Sequence, residues 1–320
     1  MNTHPVNTIH ETMGRILRLL DSIAQSVPWQ PDATFARPFR DPHEYAKEVR
    51  ACPLRLVLAD DFTRCSTAMA YSEGDRLSGC LDLVRIPNHQ VWVEWAETPR
   101  LDTLSALLEK KIEVSVPGGR AGVLISADAS GRTGSIRSFW STIGDRPHCA
   151  PLIADFDLDS HIRRWTSVLD VFKGAPAALT VLEEPAFDSL LGHMRFRFDP
   201  DWLKHYRAED LSGAEQAAVL CAALGSVAFI VPMLFAAFLL ITAKGGAQQR
   251  SRSSGRLGKQ LPHVEVTAAI GHYGREPGWL QESRGHLTRS GYHVVWRSAP
   301  SRGDADHGDL GSRTVKLSFR

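Results

Sequence analysis

A 27-residue apolar stretch constrains the fold of this chain more than any other part of its sequence. Residues 217–243 contain no acidic, basic or amide side chain and no histidine, and a helix of that length could cross a bilayer. Gly225, Ser226 and Pro232 interrupt the stretch, and a proline inside a helix removes a hydrogen bond and clashes with the preceding turn. We therefore expect a pair of buried helices, roughly 214–227 and 232–242.

The charges around this stretch also argue against a membrane span. Acidic residues precede it and basic residues follow it, so the positive-inside rule would require export of about 210 N-terminal residues. The first 30 residues show neither the apolar core nor the cleavage site of a signal peptide. We expect a cytoplasmic protein without membrane contact, and a single span at 217–243 is kept as an alternative hypothesis.

The overall composition is that of an ordinary globular protein and shows no bias toward nucleic acid. Lys and Arg total 37 against 36 Asp and Glu, which leaves a formal net charge of +1. The region after residue 244 is different, because its basic residues outnumber its acidic residues by about two to one. The five cysteines form no C-x-x-C pair, which favours a reducing compartment and no structural zinc.

Four segments in the middle of the chain are predicted to be strands, namely 90–95, 120–127, 134–140 and 152–156. In the first, Val91, Val93 and Trp95 alternate with Trp92 and Glu94, which places the two sets on opposite faces. The second and third are joined by a short polar loop and read as a hairpin. The sequence thus predicts an α+β fold, in which a central antiparallel sheet packs on the buried helix pair at 214–242.

Three regions follow from these patterns. Residues 1–243 form a mixed α/β body. Residues 244–262 are rich in Gly, Ser and Arg with almost no apolar content, which predicts a flexible basic linker. Residues 263–320 contain short alternating segments and predict a small C-terminal β-unit.

The common catalytic and cofactor motifs are missing from this sequence. There is no phosphate-binding loop, no dinucleotide fingerprint, no zinc-protease helix and no hydrolase elbow. This favours a binding protein over an enzyme, and we predict no catalytic residue, no cofactor and no metal.

Trp92, Glu94 and Trp95 could form an aromatic pocket with a carboxylate at its edge. Their alternative role is packing in the core.

Two motifs carry a resemblance to a known family. Arg85-Ile86-Pro87 precedes the Val-Trp-Val-Glu-Trp run of residues 91–95, and Ser283-Arg284-Gly285-His286 precedes Val294-Val295-Trp296-Arg297. Together with the apolar helices and the basic stretch, this order resembles phage and mobile-element proteins related to the anti-CRISPR that blocks biogenesis of the type V-A effector nuclease. The resemblance spans roughly residues 81–320. It implies a non-enzymatic, phage- or prophage-encoded protein of mixed α/β structure that acts in the bacterial cytoplasm.

The family's best-described activity is to recognise a nascent nuclease chain and to cause loss of its message. By that resemblance, the expected partner is a protein or ribonucleoprotein, with RNA as a further candidate contact. The binding surface is predicted to combine the C-terminal unit with the central strand, through Arg284, His286, Arg289, Trp296, Trp92, Glu94 and Trp95.

An enzymatic alternative also uses the C-terminal unit. Imidazole and carboxylate side chains are common metal ligands, and several lie close together in this part of the sequence. A metal-dependent nuclease would use His286, His293, His307, Asp304, Asp306 and Asp309. The Gly- and Asp-rich composition around His307 is equally typical of a solvated loop.

Overall fold

A computed structural model describes twelve segments of the chain, the last three as backbone: 18–25, 41–72, 77–107, 119–141, 147–160, 192–200, 230–243, 247–252, 260–268, 286–290, 293–297 and 314–318. The first predicted apolar helix, Arg284, His307 and the three aspartates near it lie outside these residues.

One eight-stranded mixed sheet organises the body of the protein. Its order is β6-β5-β4-β3-β2-β1-β8-β7. Neighbours from β6 to β2 are antiparallel, β1 runs parallel to both β2 and β8, and β7 is antiparallel to β8. The strands are β1 (Leu54–Leu58), β2 (Gln90–Ala96), β3 (Arg120–Ala127), β4 (Thr133–Ser141), β5 (Pro147–Asp157), β6 (Met194–Phe198), β7 (Ala247–Arg252) and β8 (His263–Ala268).

Five α-helices of the described residues accompany this sheet: α1 (Leu19–Ala24), α2 (Pro42–Ala51), α3 (Asp60–Ser72), α4 (Glu97–Leu107) and α5 (Val231–Thr242). Helix α2 begins with Pro42 in its first turn, and the Asp41 side chain accepts a hydrogen bond from the His43 backbone N–H at 2.9 Å. Helix α3 follows β1 in the connection that leads to the parallel strand β2. It packs against α4 and α5.

The second half of the apolar stretch forms the buried centre of one face of the sheet. Helix α5 has Pro232 in its first turn, and every residue from Val231 to Leu240 is buried. Phe235 contacts Phe156 of β5 edge-on, with ring centroids 6.2 Å apart. The predicted helix at 232–242 is therefore confirmed. No helix in the part of the chain that the structure describes is both long and apolar enough to cross a membrane.

The opposite face of the sheet carries a second, smaller core beneath α1 and α2. Trp92 of β2 and Phe139 of β4 are both buried there, with ring centroids 5.5 Å apart. Tyr45 of α2 packs edge-on against Phe139 at 5.2 Å. The two helices are joined by a hydrogen bond from the Arg50 guanidinium to the Ala24 carbonyl. Aromatic packing thus fixes α1 and α2 over β2, β3 and β4.

The buried side chain of Arg132 fixes the chain before it enters β2. Its Nη1 donates to the carbonyls of Leu81 at 3.0 Å and Val84 at 3.1 Å. Next to it, Gly131 adopts φ 69° and its carbonyl accepts from the Ile86 N–H at 2.9 Å. A Cβ at position 131 would collide with the Ile86 carbonyl oxygen, so this close approach requires glycine.

The structure corrects three features of the predicted organisation. The sheet is antiparallel from β6 to β2, as predicted, but β1 extends it by parallel pairing on both sides. Strand β8 was expected in a C-terminal unit of residues 263–320, and it pairs instead with β1 in the main sheet. Part of the predicted linker 244–262 forms β7, which gains its order from the ladder to β8.

A second sheet of three antiparallel strands lies further along the chain. It consists of β9 (His286–Ser290), β10 (His293–Arg297) and β11 (Thr314–Ser318), with β10 in the centre. Its register pairs Trp296 with Leu287 and Val315. The predicted C-terminal β-structure is thus present in its backbone, although it begins after β8.

Candidate functional site

Glu94, predicted at the edge of a pocket, lies instead fully buried beneath α1. The backbone N–H groups of Leu19 and Leu20 each donate to one of its carboxylate oxygens at 2.9 Å. Trp92 Nε1 donates to Oε2 at 3.3 Å, and Arg120 forms an ion pair with Oε1 through its Nε. Glu94 therefore neutralises Arg120 and caps the first turn of α1 from a neighbouring strand.

The two tryptophans of β2 pack in different cores. Trp92 lies in the core beneath α1 and α2, whereas Trp95 lies in the core that contains α5, on the other side of the sheet. Trp95 Nε1 donates to Glu97 Oε1 at 2.8 Å, and Glu97 Oε2 pairs with Arg100 at 2.7 Å. The predicted alternation along β2 is correct. In this conformation, however, all three predicted residues of the strand are closed off from an outside partner.

More polar residues surround Glu94, and sequence reasoning missed them. Asp21 of α1 is buried, and its Oδ1 accepts from the Leu261 N–H at 2.8 Å. Its Oδ2 accepts no hydrogen bond from any described residue. Burial raises the pKa of Asp21, and the nearby Glu94 charge adds to this, although Leu261 and Arg18 act in the opposite direction.

His263 closes the same cluster from β8. Its Nδ1 lies 2.9 Å from Arg18 Nη1, which can only donate a hydrogen bond, and the ring tautomer decides whether Nδ1 accepts it. Burial lowers the pKa of His263 from the ordinary 6.5, and the Arg18 charge acts in the same direction. The Leu261 carbonyl, 3.2 Å from Nδ1, and the Glu94 and Glu265 charges oppose this and are outweighed.

These contacts give the cluster a structural role. Four donors already bind the two oxygens of Glu94, which leaves it unsuited to bind a ligand or transfer a proton. The cluster connects α1 to β2, β3 and β8, elements far apart in the sequence. No local pattern could have revealed it, because its members Arg18, Asp21, Glu94, Arg120 and His263 come from four elements and a preceding loop residue.

Strand β7 is the exposed candidate site. It ends the sheet order, so among the described strands it pairs only with β8. Its residues from Gln248 to Arg252 are all exposed. An edge strand of this kind presents a row of unpaired backbone N–H and C=O groups, to which another extended chain can pair. No sequence pattern indicates a strand here, because Gln-Gln-Arg-Ser-Arg lacks an apolar alternation.

The predicted binding residues of the C-terminal part lie on the three-stranded sheet, except Arg284, which is outside the described residues. His286 pairs with Arg297 and Arg289 pairs with Val294, both across β9 and β10. Trp296 occupies β10. Residues 286, 289 and 296 thus belong to one sheet, and Trp92, Glu94 and Trp95 belong to the other.

Metal binding finds no support within the described residues, where no group of three or more His, Cys, Asp or Glu side chains is placed to hold an ion. The backbone positions of His286 and His293 fall on β9 and β10, and the other ligands of the nuclease hypothesis lie outside the described residues. The described cysteines, at positions 52, 65, 80 and 149, form no disulfide with one another.

Comparison with known proteins adds no relative to this picture. No protein-family model, curated protein or solved structure matches the chain. A functional proposal therefore rests on the geometry of the described residues and on the motif resemblance.

Proposed function

We propose that this chain is a non-enzymatic binding protein that takes an extended segment of a protein partner as an added strand along β7. In this proposal its function is similar to that of the phage and mobile-element proteins related to the type V-A anti-CRISPR. The observation that supports it most strongly is the exposed outer edge of β7 at the end of an eight-stranded sheet. Strand addition to such an edge is a recurring mode of peptide recognition.

The rigidity of the sheet supports this use of β7. Its neighbour β8 pairs with β1, and β1 pairs with β2, so the ladder continues from β7 into the centre of the core. Val266 of β8 and Leu56 of β1 are both buried in that core. An edge strand held in this way is already in the extended conformation that a partner needs, which lowers the entropy cost of binding.

A nascent polypeptide suits this edge in physical terms. It has no tertiary structure, so its backbone N–H and C=O groups are available for a new ladder. The resemblance family recognises a nascent nuclease chain, and we propose the same class of partner here, in the bacterial cytoplasm. In this proposal the C-terminal sheet, with Arg284, His286, Arg289 and Trp296, adds a second contact to a ribonucleoprotein. We further propose that residues 214–227 complete the helix pair with α5.

The test is co-expression of this chain with a type V-A effector nuclease in a bacterial host. We expect both the nuclease and its message to decrease. A synonymously recoded nuclease gene keeps the protein sequence and changes the message, so recognition of the nascent chain predicts the same decrease. A decrease that recoding abolishes would indicate recognition of RNA instead. Unchanged nuclease levels with the original gene would contradict the proposed partner.

Two proline variants, Gln248→Pro and Gln249→Pro, provide a matched pair for β7. Alternate N–H groups of an antiparallel edge strand point away from the sheet, so one variant removes an outward N–H and the other breaks the ladder to β8. The variant whose unfolding midpoint equals that of the wild type is the one that has lost the outward N–H, and its partner binding is measured. It should weaken partner binding by about 1 kcal/mol, roughly five-fold, for the one hydrogen bond that it removes.

A further inference from the structure

The charges of β7 indicate what kind of segment would pair with it. Resting on the proposed function, we infer that the added segment is acidic, with carboxylate side chains at alternate positions. Arg250 and Arg252 are two residues apart on β7, so they project from the same face of the sheet. Both are exposed.

The sheet itself neutralises only part of this charge. Arg252 donates to Glu265 of β8, with 2.6 Å between its Nε and Oε2. Glu265 also lies opposite Arg250 in the register, but Arg250 forms no ion pair with any described residue. Two guanidinium groups therefore face one carboxylate at this edge. His263, opposite Arg252, is neutral and adds no charge.

The geometry of an added strand would bring carboxylates within reach of these arginines. Residues directly opposite each other on paired strands have Cβ atoms about 5 Å apart, and oppositely charged pairs at such positions are favourable. Side chains that alternate along the added strand project from one face, which matches the spacing of Arg250 and Arg252. An acidic residue at every second position would then satisfy both arginines.

The same charges disfavour a second copy of this chain as the occupant. In antiparallel self-pairing centred on Arg250 or on Ser251, arginine lies directly opposite arginine, and like charges at these positions are destabilising. Parallel pairing in register repeats the conflict. Arginines on an edge strand also protect it against indiscriminate association. The charges of β7 thus disfavour pairing with a second β7 and favour pairing with an acidic strand.

RNA fits β7 less well than an acidic peptide does. Proteins that bind single-stranded RNA combine basic residues with aromatic side chains on which the bases stack. Strand β7 reads Ala-Gln-Gln-Arg-Ser-Arg and contains no aromatic residue. A peptide can use the backbone edge as well as the two arginines, whereas RNA can use only the arginines.

The experiment measures binding of two labelled octapeptides to the full chain, one alternating glutamate with valine and the other glutamine with valine. Two exposed charge pairs predict about five-fold tighter binding of the glutamate peptide, and added salt should reduce this ratio. The double variant Arg250→Gln with Arg252→Gln should bind both peptides equally. Backbone amide exchange then shows whether β7 is the strand that becomes protected.

A matched control comes from β6, the strand at the other end of the sheet order. Arg195 and Arg197 are also two residues apart there, but both contact Asp155, at 3.2 Å and 2.7 Å. The double variant Arg195→Gln with Arg197→Gln should leave the preference for the glutamate peptide unchanged. The same substitutions on two edge strands thus separate a site effect from a change in net charge.

Each of the other outcomes overturns the inference in a distinguishable way. Equal binding of both peptides with protection of β7 amides removes the acidic preference and leaves strand addition in place. If neither peptide protects the β7 amides, the proposed function is overturned as well. Tighter binding of a ~10-nucleotide oligouridylate would assign the arginines to RNA. Protection of β7 by dimer formation without peptide would assign the edge to a second copy.

Discussion

At the scale of single residues, His263 is the group that most directly links the sheet to pH. Its Nδ1 lies 2.9 Å from Arg18 Nη1, so protonation of the ring would bring a second positive charge against a group that can only donate. Around it lie Arg18 from the residue before α1, Asp21 from α1, Glu94 from β2, Arg120 from β3, Glu265 on β8 and Arg252 on β7. Arg55 of β1 donates to the adjacent Pro262 carbonyl at 3.3 Å.

We predict that this histidine makes the folded state less stable in mild acid. Because the pKa of folded His263 lies below the ordinary 6.5, the unfolded chain binds the proton more readily. Its contribution is complete above pH 6.5 and is lost as the pH falls through 6.5, by at most about 1.4 kcal/mol per pH unit.

The measurement is the free energy of unfolding between pH 8 and pH 5 for the wild type and for His263→Gln, whose amide oxygen can still accept from Arg18. The other twelve histidines are present in both proteins, so the difference between the curves isolates His263. The variant should lose less stability in acid. Two parallel curves would mean that protonation of His263 does not affect the fold.

The residue scale also shows where sequence reasoning stops. The alternation of Trp92 and Trp95 was predicted correctly, because a strand places successive side chains on opposite faces. The role of Glu94 was not predictable, because its donors belong to Leu19, Leu20 and Arg120, which are remote in the sequence. A carboxylate between two tryptophans has the same sequence pattern whether it lines a pocket or caps a buried helix.

At the scale of elements, α1 depends on a partner outside itself. A six-residue helix is too short to be stable in isolation, and its first N–H groups have no acceptor within the helix. Glu94 supplies both missing acceptors from β2, and the apolar side chains of α1 pack on Trp92 and Leu124. The helix is therefore ordered by the strand beneath it.

We predict that Glu94→Gln lowers the free energy of unfolding by about 3 kcal/mol, because it leaves Arg120 partly buried without its charge partner. The amides of Leu19 and Leu20 should also exchange faster. Glu265→Gln is the control, since it removes a carboxylate that pairs with the exposed Arg252, and it should cost less than about 1 kcal/mol. Equal losses in the two variants would show that Glu94 contributes no more than a surface charge.

The strands differ in how much of them the sequence reveals. Strands β2, β3 and β4 were predicted within one residue of their observed bounds, because each contains buried apolar residues. Only the second half of β5 was predicted, as 152–156. Strand β7 was predicted as linker, since an edge strand can be stabilised by backbone pairing alone and needs no apolar face. Strand β7, the exposed candidate for binding, was thus not indicated by any pattern in the sequence.

At the scale of the whole molecule, the pairing of β1 with β8 decides where the body ends. Leu56 pairs with Val93 on one side and with Val264 on the other. Hydrophobic patterning identified the segment of β8 as β-structure. It could not indicate that β8 pairs with β1, which lies far away in the sequence. The predicted boundary before residue 263 followed from local composition, whereas the sheet follows long-range pairing.

Two truncated chains test this boundary. A chain that ends at Lys259 lacks β8 and exposes one side of β1, so we expect it to lose cooperative unfolding and to aggregate. A chain that ends at Ala268 keeps all eight strands of the main sheet and should unfold cooperatively in denaturant. Equal behaviour of the two chains would contradict the placement of β8 in the core.

The central position of β1 also means that its two neighbouring strands are synthesised at different times. Its second neighbour, β8, leaves the ribosome about 200 residues later, and at ~5–20 residues per second this delay is roughly 10–40 s. During that interval one side of β1 has no native partner, and aggregation or chaperone capture can compete with folding. The yield of folded protein in a cell should therefore depend on how fast the residues between β1 and β8 are translated.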